Sequence, residues 1–133
     1  MAYTGECFCG GVKYKIEGAL HRPRICHCSR CRKAFSAQGN AYAEVDPGDF
    51  SWIQGEELLT TFPADGNSGK RFCRVCGSTL CGVVDGRVHG VTLGTLNQDQ
   101  GITLQAHIFV GSKPAWDTIN DDVPQFEEFP PDW

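Results

Sequence analysis

The chain has 133 residues, 41% of them hydrophobic and 21% charged, which is enough for one globular domain with a modest core. Its formal net charge of -4 disfavours loose binding to nucleic acid or to an anionic membrane surface. No apolar run reaches the roughly 20 residues of a membrane-spanning helix.

Eight cysteines are the outlying feature of the composition. The N-terminal Met1-Ala2-Tyr3-Thr4-Gly5-Glu6 has no basic segment followed by an apolar one, so no secretory leader is visible and a cytoplasmic location is expected. Clustered cysteines in a reducing compartment read as metal ligands rather than as a disulfide framework.

In chain order, the first cluster is Cys7-Phe8-Cys9, followed by two glycines that let backbone N–H groups approach the sulfurs. Val12, Tyr14 and Ile16 alternate with charged residues, which predicts a half-buried strand ending at Gly18. Residues 21–24 read as a polar, proline-containing connection. Cys26-His27-Cys28-Ser29-Arg30-Cys31 follows, a C-x-C-x-x-C array in which the first two thiols would sit on a tight turn and the third in a short helix. Ser29 is the expected cap of that helix, over residues 30–35.

Gly39-Asn40 reads as a turn, and residues 41–45, 50–53 and 58–62 read as short strands, with a turn at 46–49. Residues 63–69 form a polar loop, expected to be solvated rather than to cover a site. Cys73-Arg74-Val75-Cys76-Gly77 is a C-x-x-C-G zinc knuckle, whose turn converges two sulfurs and whose glycine relieves the backbone. Residues 79–84, 88–93 and 102–110 are the remaining strand candidates, the first two joined by an Asp85-Gly86 hairpin. The tail, 113–133, is expected to be irregular, with Trp116 and Phe126 anchoring it. The reading is mainly β, with one domain over residues 1–133.

Cys7 and Cys9 with Cys73 and Cys76 make two bidentate clips and together four sulfurs, a closed structural zinc site. Closing so long a loop would make metal-binding free energy part of folding free energy. Cys26, Cys28 and Cys31 remain, with Cys81. Cys81 could complete a second closed site, but a lone cysteine in an apolar strand is usually a small core residue, so an open three-sulfur site is the preferred alternative. Zinc there would keep a bound small thiol ionised and ready to attack an aldehyde. Arg30, Arg32 and Lys33 could attract the carboxylates of an anionic thiol such as glutathione or could be solvated helix residues. His27, between two ligands, would point away from the metal. His89 and His107 read as structural.

The motifs G-x-C-x-C-G-x-V at Gly5 to Val12, C-H-C-S-x-C-R-K at Cys26 to Lys33 and F-C-x-x-C-G-S-x-L at Phe72 to Leu80 resemble the glutathione-dependent formaldehyde-activating enzyme family, which includes centromere protein V. The segment from His107 through Trp116-Asp117 to Phe126 is similar to it too. The resemblance implies a β-tent of several small antiparallel sheets. It implies two zinc ions per chain, a structural one on Cys7, Cys9, Cys73 and Cys76 and a catalytic one on Cys26, Cys28 and Cys31. It also implies a carbon-sulfur lyase joining glutathione to formaldehyde as S-(hydroxymethyl)glutathione. The alternative is a zinc-stapled protein-binding module with two structural metals and no catalysis.

Overall fold

The computed structural model describes residues 2–65 and 67–133; Met1 and Gly66, the latter within the expected 63–69 loop, lie outside the described residues. Ten strands and one helix are present: β1 Ala2–Glu6, β2 Lys13–Glu17, β3 Leu20–Cys26, α1 Ser29–Phe35, β4 Asn40–Val45, β5 Phe50–Gln54, β6 Leu59–Phe62, β7 Gly69–Cys73, β8 Thr79–Val84, β9 Arg87–Thr92 and β10 Ala106–Ile108. They form two sheets, one of three strands in the order β1-β2-β5 and one of seven in the order β10-β3-β4-β9-β8-β7-β6.

The architecture is mainly β, as expected, but the sheets depart from the anticipated set of small antiparallel ones. The second is large, and its edge pair β3/β10 is parallel, with Arg24 opposite Ala106 and Cys26 opposite Ile108. Residues 21–24, which the sequence reads as a connection because Pro23 and charged residues interrupt them, belong to β3. Its ladder to β4 indeed breaks between His21 and Arg24. The expected strand over 102–110 contracts to Ala106–Ile108. Strand β7 lies in a segment whose charges and cysteine hide any alternation, and β1 has Tyr3 as its one large apolar residue.

Alternation succeeds where one face is buried. Tyr14 and Ile16 point into the core from β2, beside Tyr3 from β1 and Leu80, Cys81 and Val83 from β8. Tyr14 stacks on Phe50 at 5.2 Å, and its Oη lies 2.8 Å from Thr95 Oγ1. Gly5 is required opposite it, because a Cβ there would sit 2.2 Å from the Tyr14 ring. The hairpin at Asp85-Gly86 is as read, with both residues in the left-handed region at φ 51° and 77°.

Beyond residue 112 no strand or helix forms among the described residues, but the tail is tied down. His107 N–H donates to Pro124 O at 2.8 Å, and Phe126 N–H to His107 O at 2.9 Å. Phe126 is thus an anchor, through its backbone. Trp116 is not, being 68% exposed. Trp133 and Phe129 engage the body instead: the Trp133 ring faces the Arg24 guanidinium at 5.5 Å, and Phe129 packs edge-on against Phe109 at 5.0 Å.

Candidate metal centre

Two sulfur clusters assemble, and their membership follows the sequence spacing. The ligand atoms of Cys7, Cys9, Cys73 and Cys76 lie within 4.8 Å of one another, as do those of Cys26, Cys28 and Cys31. None of the eight cysteines is in a disulfide.

In the four-sulfur cluster each clip is a tight turn closed by a left-handed glycine. Gly10, at φ 76°, donates its N–H to Cys7 O at 3.0 Å; Gly77, at φ 82°, donates to Cys73 O at 2.8 Å. Cys7 Sγ also accepts the Val12 N–H at 3.3 Å. Cys7 and Cys9 lie between β1 and β2 of the small sheet, and Cys73 ends β7 of the large one, so the cluster joins the two sheets. Ser78 links the clips. Its Oγ accepts the Phe8 N–H at 2.8 Å and lies 3.4 Å from Cys76 Sγ. That hydroxyl is the main influence holding the Cys76 thiol down, to about 5. Sequence reasoning quoted Ser78 within a motif without assigning it this part.

In the triple, Cys26 ends β3, Cys28 is the N-cap of α1 and Cys31 lies in its first turn. The expected cap was Ser29; instead Cys28 Sγ accepts the Cys31 N–H at 3.2 Å, and Ser29 is the first helical residue. A cysteine can take this place because it has the extended backbone of an N-cap (φ -64°, ψ 153°) and an acceptor on its β-carbon. The hydrogen bond from Cys31 pulls the Cys26 thiol down to about 6, against burial, while that same contact and burial push Cys31 well up. The first proton leaves such a cluster easily and the last with difficulty, and a soft cation is what allows all three to ionise. Cys81 lies outside the cluster, buried in β8, where desolvation pushes its thiol up to about 12.

Cys26 and Cys31 open onto a cavity of about 420 Å³. Its walls include Tyr42, Phe35 and Phe129, with Ser68 and Gly69 also lining it, while the described loop residues 63–65, 67 and 68 are exposed, as expected of a solvated loop. Tyr42 packs over β9, where a Cβ on Gly90 would meet its hydroxyl at 2.2 Å. Burial pushes Tyr42 up to about 12, and its hydroxyl makes no hydrogen bond to a described residue. Lys70 and Gly69 form the common wall with a second groove, which Arg30, Lys33 and Phe72 also line. Arg30, Lys33 and Lys70 have no carboxylate partner among the described residues, an unusual grouping in an acidic chain. Arg32 is turned inward instead, its Nε buried and unpaired.

His27 occupies the other side of the sheet. Arg24 and Cys26 line the sulfur cavity, whereas Ile25 and His27 line a separate one of about 350 Å³, as strand alternation demands. His27 is buried rather than superficial, and it joins a chain of polar contacts. His107 Nε2 lies 3.0 Å from both oxygens of Asp121, so it carries the hydrogen and donates to the carboxylate. His107 Nδ1 then accepts from His27 Nε2 at 2.8 Å. Burial, then the nearby His107, lowers the His27 pKa, consistent with a neutral ring. His107 is buried in β10, as read, whereas His89 is exposed on β9. A larger cleft of about 870 Å³ near His89 holds the Arg24–Glu44 pair but no sulfur.

A family model described as glutathione-dependent formaldehyde-activating enzyme matches residues 2–112, which contain both clusters. Among curated proteins no match was found. A crystal structure of a Rhodobacter sphaeroides protein is similar at 28% identity and a TM-score of 0.51, over 75% of this chain and 90% of that one.

Proposed function

Because the chain belongs to the glutathione-dependent formaldehyde-activating enzyme family, we propose that it is a zinc-dependent enzyme of the carbon-sulfur lyase type, acting on the adduct of a small thiol and an aldehyde. The observation that carries this reading is the inequality of the clusters: four converging sulfurs at one, and at the other three, of which Cys26 and Cys31 face a cavity. The donor sets suit zinc, since thiolates are its soft ligands and four of them complete a closed site. Zinc on Cys26, Cys28 and Cys31 would supply a coordination position for a thiol sulfur and keep it ionised near neutral pH.

The chain's own residues then have distinct tasks. Arg30, Lys33 and Lys70, lacking acidic partners, attract the carboxylates of an anionic thiol such as glutathione. Tyr42, protonated and unpaired on the cavity wall, donates a hydrogen bond to the carbonyl oxygen as negative charge develops there. Addition forms the S–C bond and breaks the carbonyl π bond, and the thiol proton ends on oxygen; the reverse step releases thiol and aldehyde. Cys7, Cys9, Cys73 and Cys76 hold the other zinc as a staple. The accompanying fold reading is a β-tent with one enlarged, mixed sheet, one domain over 1–133, working in the cytoplasm.

A protein-binding module with two structural metals is favoured by a separate observation. Phe8 and Val75, at the tips of the two clips, are 92% and 62% exposed. X-ray absorption at the zinc edge separates the readings. The enzyme reading expects added glutathione to raise the mean number of zinc–sulfur contacts, and the zinc-loaded protein to accelerate S-(hydroxymethyl)glutathione formation above the spontaneous rate. Cys28→Ser should abolish both effects with the fold retained. An unchanged absorption edge together with no acceleration would favour the binding module.

A further inference from the structure

Beyond Cys26 and Cys31 the cavity wall is mostly apolar, with Phe35, Val83, Val84, Ile108 and Phe129 beside Tyr42, and Asn40, Ser68 and Thr92 supply its neutral polar part. Of the two cations on its boundary, Arg24 is engaged by Glu44 at 2.6 Å and Lys70 stands at the wall shared with the basic groove. The volume, about 420 Å³, is an order of magnitude more than a one-carbon carbonyl fills, given that a water molecule takes about 30 Å³ in the liquid. Two apolar wall residues are left open to solvent: Phe129 is 57% exposed and Val84 48%. The carboxylates of an anionic thiol have their counterpart in the neighbouring groove, at Arg30, Lys33 and Lys70, rather than on this wall. The space beside the sulfurs therefore matches the other half of the adduct.

We propose that the carbonyl substrate of this chain is an aldehyde bearing an apolar group, aryl or branched alkyl, of on the order of ten non-hydrogen atoms, and that the group fills this cavity. This rests on the thiol-adduct reading above and names the substrate class of the same site. The thiol S–H adds across the aldehyde C=O: the S–C bond forms, the π bond breaks and the proton ends on oxygen, so no oxidant or reductant is consumed. Phe129 and Val84 are covered when the apolar group enters, and Tyr42 remains next to the oxygen.

Two stable thioethers of glutathione mimic the alternatives, S-methylglutathione for a one-carbon adduct and S-benzylglutathione for an aryl one. Calorimetric titration of the zinc-loaded protein should give S-benzylglutathione the tighter binding by about tenfold or more, as burial of the ring implies. Val84→Glu should shrink that ratio, and Phe129→Ser, in the irregular tail, should do so independently if the strand variant folds poorly. Benzaldehyde with glutathione should also be accelerated more than formaldehyde with glutathione. If the two thioethers bind equally, or the methyl one binds better, the aldehyde class is overturned while the thiol site stands. If neither binds and no aldehyde adduct forms faster than without protein, the thiol-adduct reading falls and the inference with it.

Discussion

Ser78 bears on both clips with one hydroxyl, accepting from the Phe8 N–H and reaching Cys76 Sγ. Ser78→Ala leaves that N–H without its partner and should cost about 1 kcal/mol of unfolding free energy in a urea titration of the zinc-loaded protein. His107 stands between a buried ring and a carboxylate. Replacing it with Ala leaves His27 Nε2 unpaired in the interior and opens a void, so a larger loss, about 2–4 kcal/mol, is expected in the same titration. At this scale the sequence was informative about which thiols come together and silent about their supports. Cysteines announce themselves by spacing. A serine that bridges two turns, or a tyrosine that reaches a sulfur cavity from another strand, has no local pattern to betray it.

At the scale of elements, β2 was legible because its alternation reports one buried face directly, and β8 because it is a short apolar run ending at a turn. β3 was not, since a proline and three basic residues occupy it and its pairing breaks midway. That strand delivers Cys26 to the cavity and His27 to the opposite face, so missing it meant missing the cavity too. The hairpin between β8 and β9 was visible from Asp85-Gly86 alone. Gly86→Ala forces a side chain into a φ of 77° and should lower stability by about 1 kcal/mol, read as a shift in the urea midpoint with unchanged slope. Gly90→Ala tests a different property of β9. Its new Cβ would meet the Tyr42 hydroxyl at 2.2 Å, so tyrosine must shift, and binding of glutathione thioethers should weaken more than the fold does.

For the whole molecule the two clusters predict opposite sensitivities. Cys76→Ser removes a ligand from the cluster that joins the sheets; it should lower the thermal midpoint strongly and make it dependent on added zinc. Cys28→Ser removes a ligand and a helix cap at one end of a seven-residue helix, and the midpoint should fall by only a few degrees, as a cap loss of about 1 kcal/mol implies. Comparable falls would remove the distinction between staple and site. Sheet order itself was beyond the sequence: nothing local says that β5 joins β1 and β2, or that β10 lies parallel to β3.

The wide separation of the two clips along the chain has a consequence for biosynthesis. Cys9 leaves the ribosome long before Cys76, and at about 5–20 residues per second the nascent polypeptide carries the leading pair unmatched for several seconds or more. During that interval the early thiols are open to peroxide and to competing copper. On the zinc reading, the metal available while translation proceeds would then bear on the yield of native protein.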